Sequence, residues 1–144
     1  GRHVLMSIII EMLRKHEGVE THAYKCTANK TTIGVGRNID PNGGIGLSDS
    51  EVNYLLSNDV KRVNQELLSA FSWYKTVAPA RKDAMMDICF NIGLPRLKNF
   101  KKALAAMASG DYQTAAIEFL DSKWAKQVGQ RATTVTDIIR SGEY

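Results

Sequence analysis

The stretch from Leu47 to Leu67 constrains this chain more than any other. Ser48 is followed three residues later by Glu51, the pattern in which two side chains satisfy each other's backbone N–H groups at a helix start. Behind it Val52, Leu55, Leu56, Val60, Val63 and Leu67 recur at helical spacing and fall on one face. The spacing predicts a long helix over about 49–70. The segments on its two sides differ in kind.

Upstream, "MSIIIEMLRKHEG" reads as a short amphipathic helix stopped at Gly18. "THAYKCTANKTTIGVGRNI" is then rich in β-branched and aromatic residues and is broken by "TANK", which predicts a hairpin with strands near 22–26 and 31–36. "DPNGGIG", Asp40 to Gly46, is a turn signal that could lead a third short strand. Downstream the pattern is helical. Pro79 suits a first turn, and 79–92 carries Ala84, Met85, Ile88, Cys89 and Ile92 on its inner side. "GLPRLKNF" interrupts that pattern. "KKALAAMASGD" gives a helix ending at Gly110, Asp111 caps the next, and a last helix covers roughly 130–140. The fold class is α+β: a small N-terminal β-hairpin lobe (about 18–47), a linking helix (about 49–70), and a C-terminal helical bundle (about 76–144 plus the first helix), forming a single domain over 1–144.

The 144 residues and a 44% hydrophobic content suffice for one buried core. The formal charge of +4 (19 basic and 15 acidic residues) suits an acidic polymer without choosing among them. Cys26 and Cys89 make no disulfide framework, and His3, His16 and His22 lack the spacing of a metal site, so neither metal nor cofactor is expected. "GRH" looks like an added start, with Met6 as the natural first residue. The apolar run Val4 to Ile10 falls far short of the ~20 residues of a membrane span, so a soluble chain is expected.

Three side chains could carry chemistry. Glu17 ends the first helix, immediately before a glycine, beside the hairpin. If the hairpin turns about Asn29, Cys26 and Thr32 lie opposite each other, and such cross-strand neighbours sit ~5 Å apart. Gly34 and Gly36 would let a ligand approach the backbone. An acid facing a group that attacks or holds water is what glycoside hydrolysis requires. A thiol nucleophile with His22 or His16 as base is weaker, because four residues along a strand separate His22 from Cys26 by about 13 Å. Cys89, on an apolar helix face, reads as a small core residue.

The pattern Glu17-x8-Cys26-x5-Thr32 resembles the catalytic triad of the phage-type lysozymes (endolysins), glycoside hydrolase family 24. "IIEMLRKHEG" is similar to that family's opening helix, and "YKCTANKTTIGVGRN" to its hairpin. "ARKDAMMDICFNIG", "AAIEFLDSKW" and "QRATTVTDIIRSGEY" resemble its later helices, so the resemblance runs from Met6 to Tyr144. It implies that Glu17 is the general acid, Cys26 the water-positioning or nucleophilic residue, and Thr32 its partner. It also implies substrate-binding places for Arg131, like the family arginine near the acid, and for Asn91, like a cleft-lining position. Two residues depart from the pattern. Arg37 stands where the family usually has histidine, and Cys26 where aspartate is commoner.

The implied activity is a muramidase that cuts the β-1,4 bond between N-acetylmuramic acid and N-acetylglucosamine. Its partner is the peptidoglycan glycan strand, with no nucleic acid, no membrane span, and a monomeric state. The implied setting is a phage endolysin held in the bacterial cytoplasm until its release to the periplasmic wall. A second reading is a catalytically inactive peptidoglycan-binding relative, which need not have kept Glu17 and Thr32. A nucleic-acid-binding domain is suggested by charge alone, since Arg14–Lys15, Arg81–Lys82 and Lys101–Lys102 are scattered.

Overall fold

A glycine that stops one helix and a capping box that starts another bracket the sheet-forming part of the chain. The computed structural model describes residues 2–144, with side chains from residue 7 onward; His3 in the expected added start and Met6, the expected natural first residue, lie outside the described side chains. Contacts divide the chain into two units, Gly1–Tyr54 and Leu55–Tyr144.

In the first unit, α1 (Arg2–Glu17) stops where Gly18 turns to positive φ. β1 (Glu20–Lys25), β2 (Thr31–Gly34) and β3 (Arg37–Asn38) come next as an antiparallel sheet in sequence order. The third strand precedes the Asp40–Gly46 loop rather than following it. The hairpin register also differs from the expectation. Tyr24 pairs with Thr32 and Lys25 with Thr31, so the turn is centred on Ala28 and Thr32 does not stand opposite Cys26. The reason is Asn29 at φ 60, which closes a three-residue loop over Thr27–Asn29. Farther from the turn a bulge between Glu20 and Tyr24 shifts the register once more, so that Glu20 pairs with Gly34.

α2 (Asp49–Ala70) starts at the predicted capping box: Ser48 N–H donates to Glu51 Oε1 at 2.8 Å and Glu51 N–H to Ser48 Oγ at 3.2 Å. Of its six-residue apolar face only Val63 and Leu67 are buried; Val52, Leu55, Leu56 and Val60 are all exposed.

In the second unit a 3-10 turn (Tyr74–Thr76) leads to α3 (Pro79–Ile92), α4 (Leu94–Leu97), α5 (Lys101–Ser109), α6 (Tyr112–Leu120), α7 (Lys123–Val128) and α8 (Gln130–Ser141). The single turn α4 and the short α7 escape sequence periodicity because neither is long enough to show a repeat. As expected, Gly110 ends α5 in the left-handed conformation and Asp111 caps α6 through the Thr114 N–H. The core lies here: Leu67, Tyr74, Met85, Ile88, Leu97, Met107, Phe119, Trp124 and Ile139 are fully enclosed. Phe119 stands tilted against Phe100 at 5.4 Å and edge-on to Trp124 at 6.4 Å. Each such side chain contributes about 1.5–3 kcal/mol by leaving water. Cys89 is buried among them, and desolvation pushes its thiol up to about 11, so it is an inert core residue. An apolar groove of about 330 Å³ opens beside this core, lined by Leu56, Val60, Met86 and Phe90.

Candidate active site

Glu17 is the last residue of α1, and its carboxylate lies against the backbone of Gly36 in the turn between β2 and β3. A Cβ at position 36 would meet Glu17 Oε2 at 2.7 Å, and Gly36 also sits at φ +68. Glycine is there because the acid occupies the space a side chain would need.

Cys26 begins the hairpin turn and is half-buried. Its N–H donates to the Lys30 carbonyl at 3.0 Å, and its own carbonyl accepts the Asn29 N–H at 2.8 Å. The Thr32 hydroxyl, 3% exposed, donates to the same Lys30 carbonyl at 2.8 Å. Cys26 and Thr32 are therefore joined through one acceptor, although they are not register partners. The sulfur is held below its ordinary value of 9.0, chiefly by the Lys30 amide and then by the Ala28 amide. Partial desolvation opposes this, and the Thr32 hydroxyl adds a smaller lowering.

Arg37, the departure from the family's histidine, binds Glu51 with both arms and also donates to the Gly46 carbonyl at 3.0 Å. This contact draws Glu51 down to about 2, the Arg37 bond being the main cause and the Ser48 bonds the next.

Asn91 and Arg131 belong to the second unit. Asp87 and Asn91 stand one turn apart on α3, and each engages a neighbouring helix. Arg131, from α8, donates through Nε to Asp87 Oδ1 at 2.8 Å and through Nη2 to the Asp87 carbonyl at 3.3 Å. Asn91 Oδ1 accepts the indole N–H of buried Trp124 at 2.8 Å, so the oxygen of this exposed residue is committed to the core. Glu17, Cys26 and Thr32 thus belong to one unit, and Asn91 and Arg131 to the other.

A family model described as phage lysozyme matches residues 14–139. The chain belongs to the phage lysozyme family. It is 26% identical to a probable T4-type lysozyme 2 of Dictyostelium discoideum over 96% of both chains. It is 26% identical to the endolysin of Acyrthosiphon pisum secondary endosymbiont phage 1, over 90% of this chain and 86% of that one. It is 28% identical to the pre-baseplate central spike protein Gp5 of Enterobacteria phage T4, over 92% of this chain but only 27% of that protein. The enzyme is a glycoside hydrolase, a peptidoglycan-hydrolysing muramidase.

Sequence reasoning missed two carboxylates around this enzyme's candidate residues. Asp87 holds Arg131, and its only signal was a place on α3 one turn before Asn91. Asp40 is 8% exposed and accepts the Thr31 N–H at 3.0 Å and the Asn42 N–H at 2.9 Å. The Asp-Pro-Asn-Gly run marks a turn in which aspartate bonds its own backbone, but not that the same group reaches β2.

Proposed function

We propose that Glu17, Cys26 and Thr32 carry out the hydrolysis. Glu17 donates its proton to the glycosidic oxygen as the bond to the anomeric carbon breaks. Cys26 as a thiolate, assisted by Thr32, holds a water and takes a proton from it as the water oxygen bonds to that carbon. The observation that carries this reading is the shared Lys30 carbonyl, which takes the Cys26 N–H and the Thr32 hydroxyl at 3.0 and 2.8 Å. A thiol held below its ordinary value by main-chain amides can serve where the family more often uses a carboxylate. Arg131 and Asn91 serve the glycan strand, Arg131 as a cation on an anionic polymer and Asn91 through the amide nitrogen that Trp124 leaves free.

The setting is that of an endolysin, a reading supported by similarity to a named endolysin along most of its length. The enzyme waits in the cytoplasm of the infected bacterium and acts on the wall after release. It works as a monomeric, single lysozyme-like domain, and it needs no nucleic acid. Among the described residues, no helix is long and apolar enough to cross a membrane.

The test is turbidity loss of outer-membrane-permeabilised Gram-negative cells, comparing the parent with Glu17→Gln, Cys26→Ala and Thr32→Ala. The parent is expected to clear the suspension, Glu17→Gln to be inactive, and the other two to be slowed by a factor of about 100 or more. Undiminished clearing by Glu17→Gln would remove Glu17 as the acid.

A further inference from the structure

The peptide unit between Lys30 and Thr31 carries hydrogen bonds on both of its edges. Its carbonyl takes the Cys26 N–H and the Thr32 hydroxyl. Its N–H donates to Asp40 Oδ1 at 3.0 Å. A trans peptide is a rigid plate whose N–H and C=O point in opposite directions, so tilting it to lengthen one contact disturbs the others.

Asp40 is itself braced before it reaches that plate. Its other oxygen accepts the Asn42 N–H, its own N–H donates to Asn38 Oδ1 at 2.9 Å, and its carbonyl accepts the Gly44 N–H at 2.9 Å. The backbone passes so near at Gly44 that a Cβ there would lie 2.5 Å from the Asp40 nitrogen. Two cations face this carboxylate. Lys25 Nζ lies 4.0 Å from Oδ1 and donates to Thr31 Oγ1 at 2.9 Å, while Lys30 Nζ donates to the Asn42 carbonyl at 3.0 Å.

We propose that Asp40 is a positioning residue for the hydrolysis: it orients the Lys30–Thr31 peptide and, through it, Cys26 and Thr32. The inference rests on the reading of Cys26 and Thr32 as catalytic groups. A charge-assisted bond to the N–H also polarises the peptide, which strengthens the carbonyl as an acceptor on its far edge. A carboxylate that merely fastened a loop to a strand would stabilise the hairpin without tuning the thiol, and this difference can be measured.

The experiment uses the full chain as parent, Asp40→Ala and Asp40→Asn. It measures kcat and KM on purified peptidoglycan, thermal unfolding, and the pH profile of Cys26 alkylation by iodoacetamide, mapped to that residue. Asp40→Ala is expected to lower kcat about tenfold or more with KM little changed, as a displaced catalytic group does. Its alkylation profile should move, because the Lys30 carbonyl that anchors the Cys26 N–H is no longer fixed. Asp40→Asn keeps an oxygen for the Thr31 N–H and should fall between the two.

A folded Asp40→Ala with the parent's kcat and alkylation profile overturns the proposal. So does a loss of activity that follows Tm alone, equal in both variants, with the profile unmoved. If Asp40→Ala does not fold, Asp40→Asn carries the test with the same two outcomes. Cys26→Ala on the same substrate separates the two claims. Full activity there ends the catalytic reading of Cys26, while the shifted profile still marks Asp40 as the residue that positions the thiol.

Discussion

Arg37 and Glu51 hold each other through two parallel bonds, Nη1 to Oε1 and Nη2 to Oε2, each 2.8 Å long. The pair clamps the end of the sheet to the first turn of α2, where the same Glu51 closes the capping box with Ser48. One carboxylate therefore ends a loop and starts a helix.

Glu51 is held at about 2 in the folded protein against an ordinary 4.5. A folded value below the unfolded one means that its stabilisation is complete above 4.5 and is lost as pH falls toward 2. Glu51→Gln should lower Tm at about neutral pH, and the difference should shrink through that window and vanish near its lower end. Thermal melts of both proteins across the acid range check it; a constant Tm difference would refute it.

Gly36→Ala should damage activity more than stability. The left-handed backbone costs an alanine about 1–2 kcal/mol. The new methyl group would also meet the Glu17 carboxylate at 2.7 Å and push the acid aside. A loss of at least about tenfold in kcat is expected from that displacement. Parallel melts and kinetics on purified peptidoglycan separate the two effects.

Asn91→Ala should destabilise the second unit. It removes the oxygen that accepts the Trp124 indole N–H, and that indole is 1% exposed. Leaving a buried donor unpaired costs about 1–3 kcal/mol. Asn91→Asp keeps an acceptor and should recover most of the loss in urea unfolding. Equal destabilisation by both variants would contradict the account.

Cys26→Asp should keep wall-clearing activity while abolishing its sensitivity to iodoacetamide. The parent thiol titrates below its ordinary 9.0, so a thiolate-dependent parent should gain activity as pH rises through that lowered range. The aspartate variant, ionised throughout, should not. Clearing rates against pH, with and without alkylation, test this; full activity of the alkylated parent would remove the thiol from the reaction.

Long-period features were legible in the sequence. The capping box and apolar spacing give α2 its observed limits, and Pro79, Gly110 and Asp111 mark real ends and starts. Features decided by a single dihedral were not. Asn29 at φ 60 moves the hairpin centre by one residue and changes the partner of Thr32 from Cys26 to Tyr24. The candidate residues were found through the resemblance and their spacing. Asp40 was not, because a turn-forming aspartate looks the same in sequence whether or not a strand nine residues back accepts its help.

The backbone of Cys26 is fixed by its N–H on the Lys30 carbonyl and by its carbonyl on the Asn29 N–H, and main-chain bonds do not read side-chain identity. A carboxylate or a thiolate placed there stands on the same turn. Lineages can therefore exchange the two at this position without rebuilding the hairpin around it. Vulnerability to oxidants is then a trait that one residue can confer or remove, carried on a scaffold indifferent to the choice.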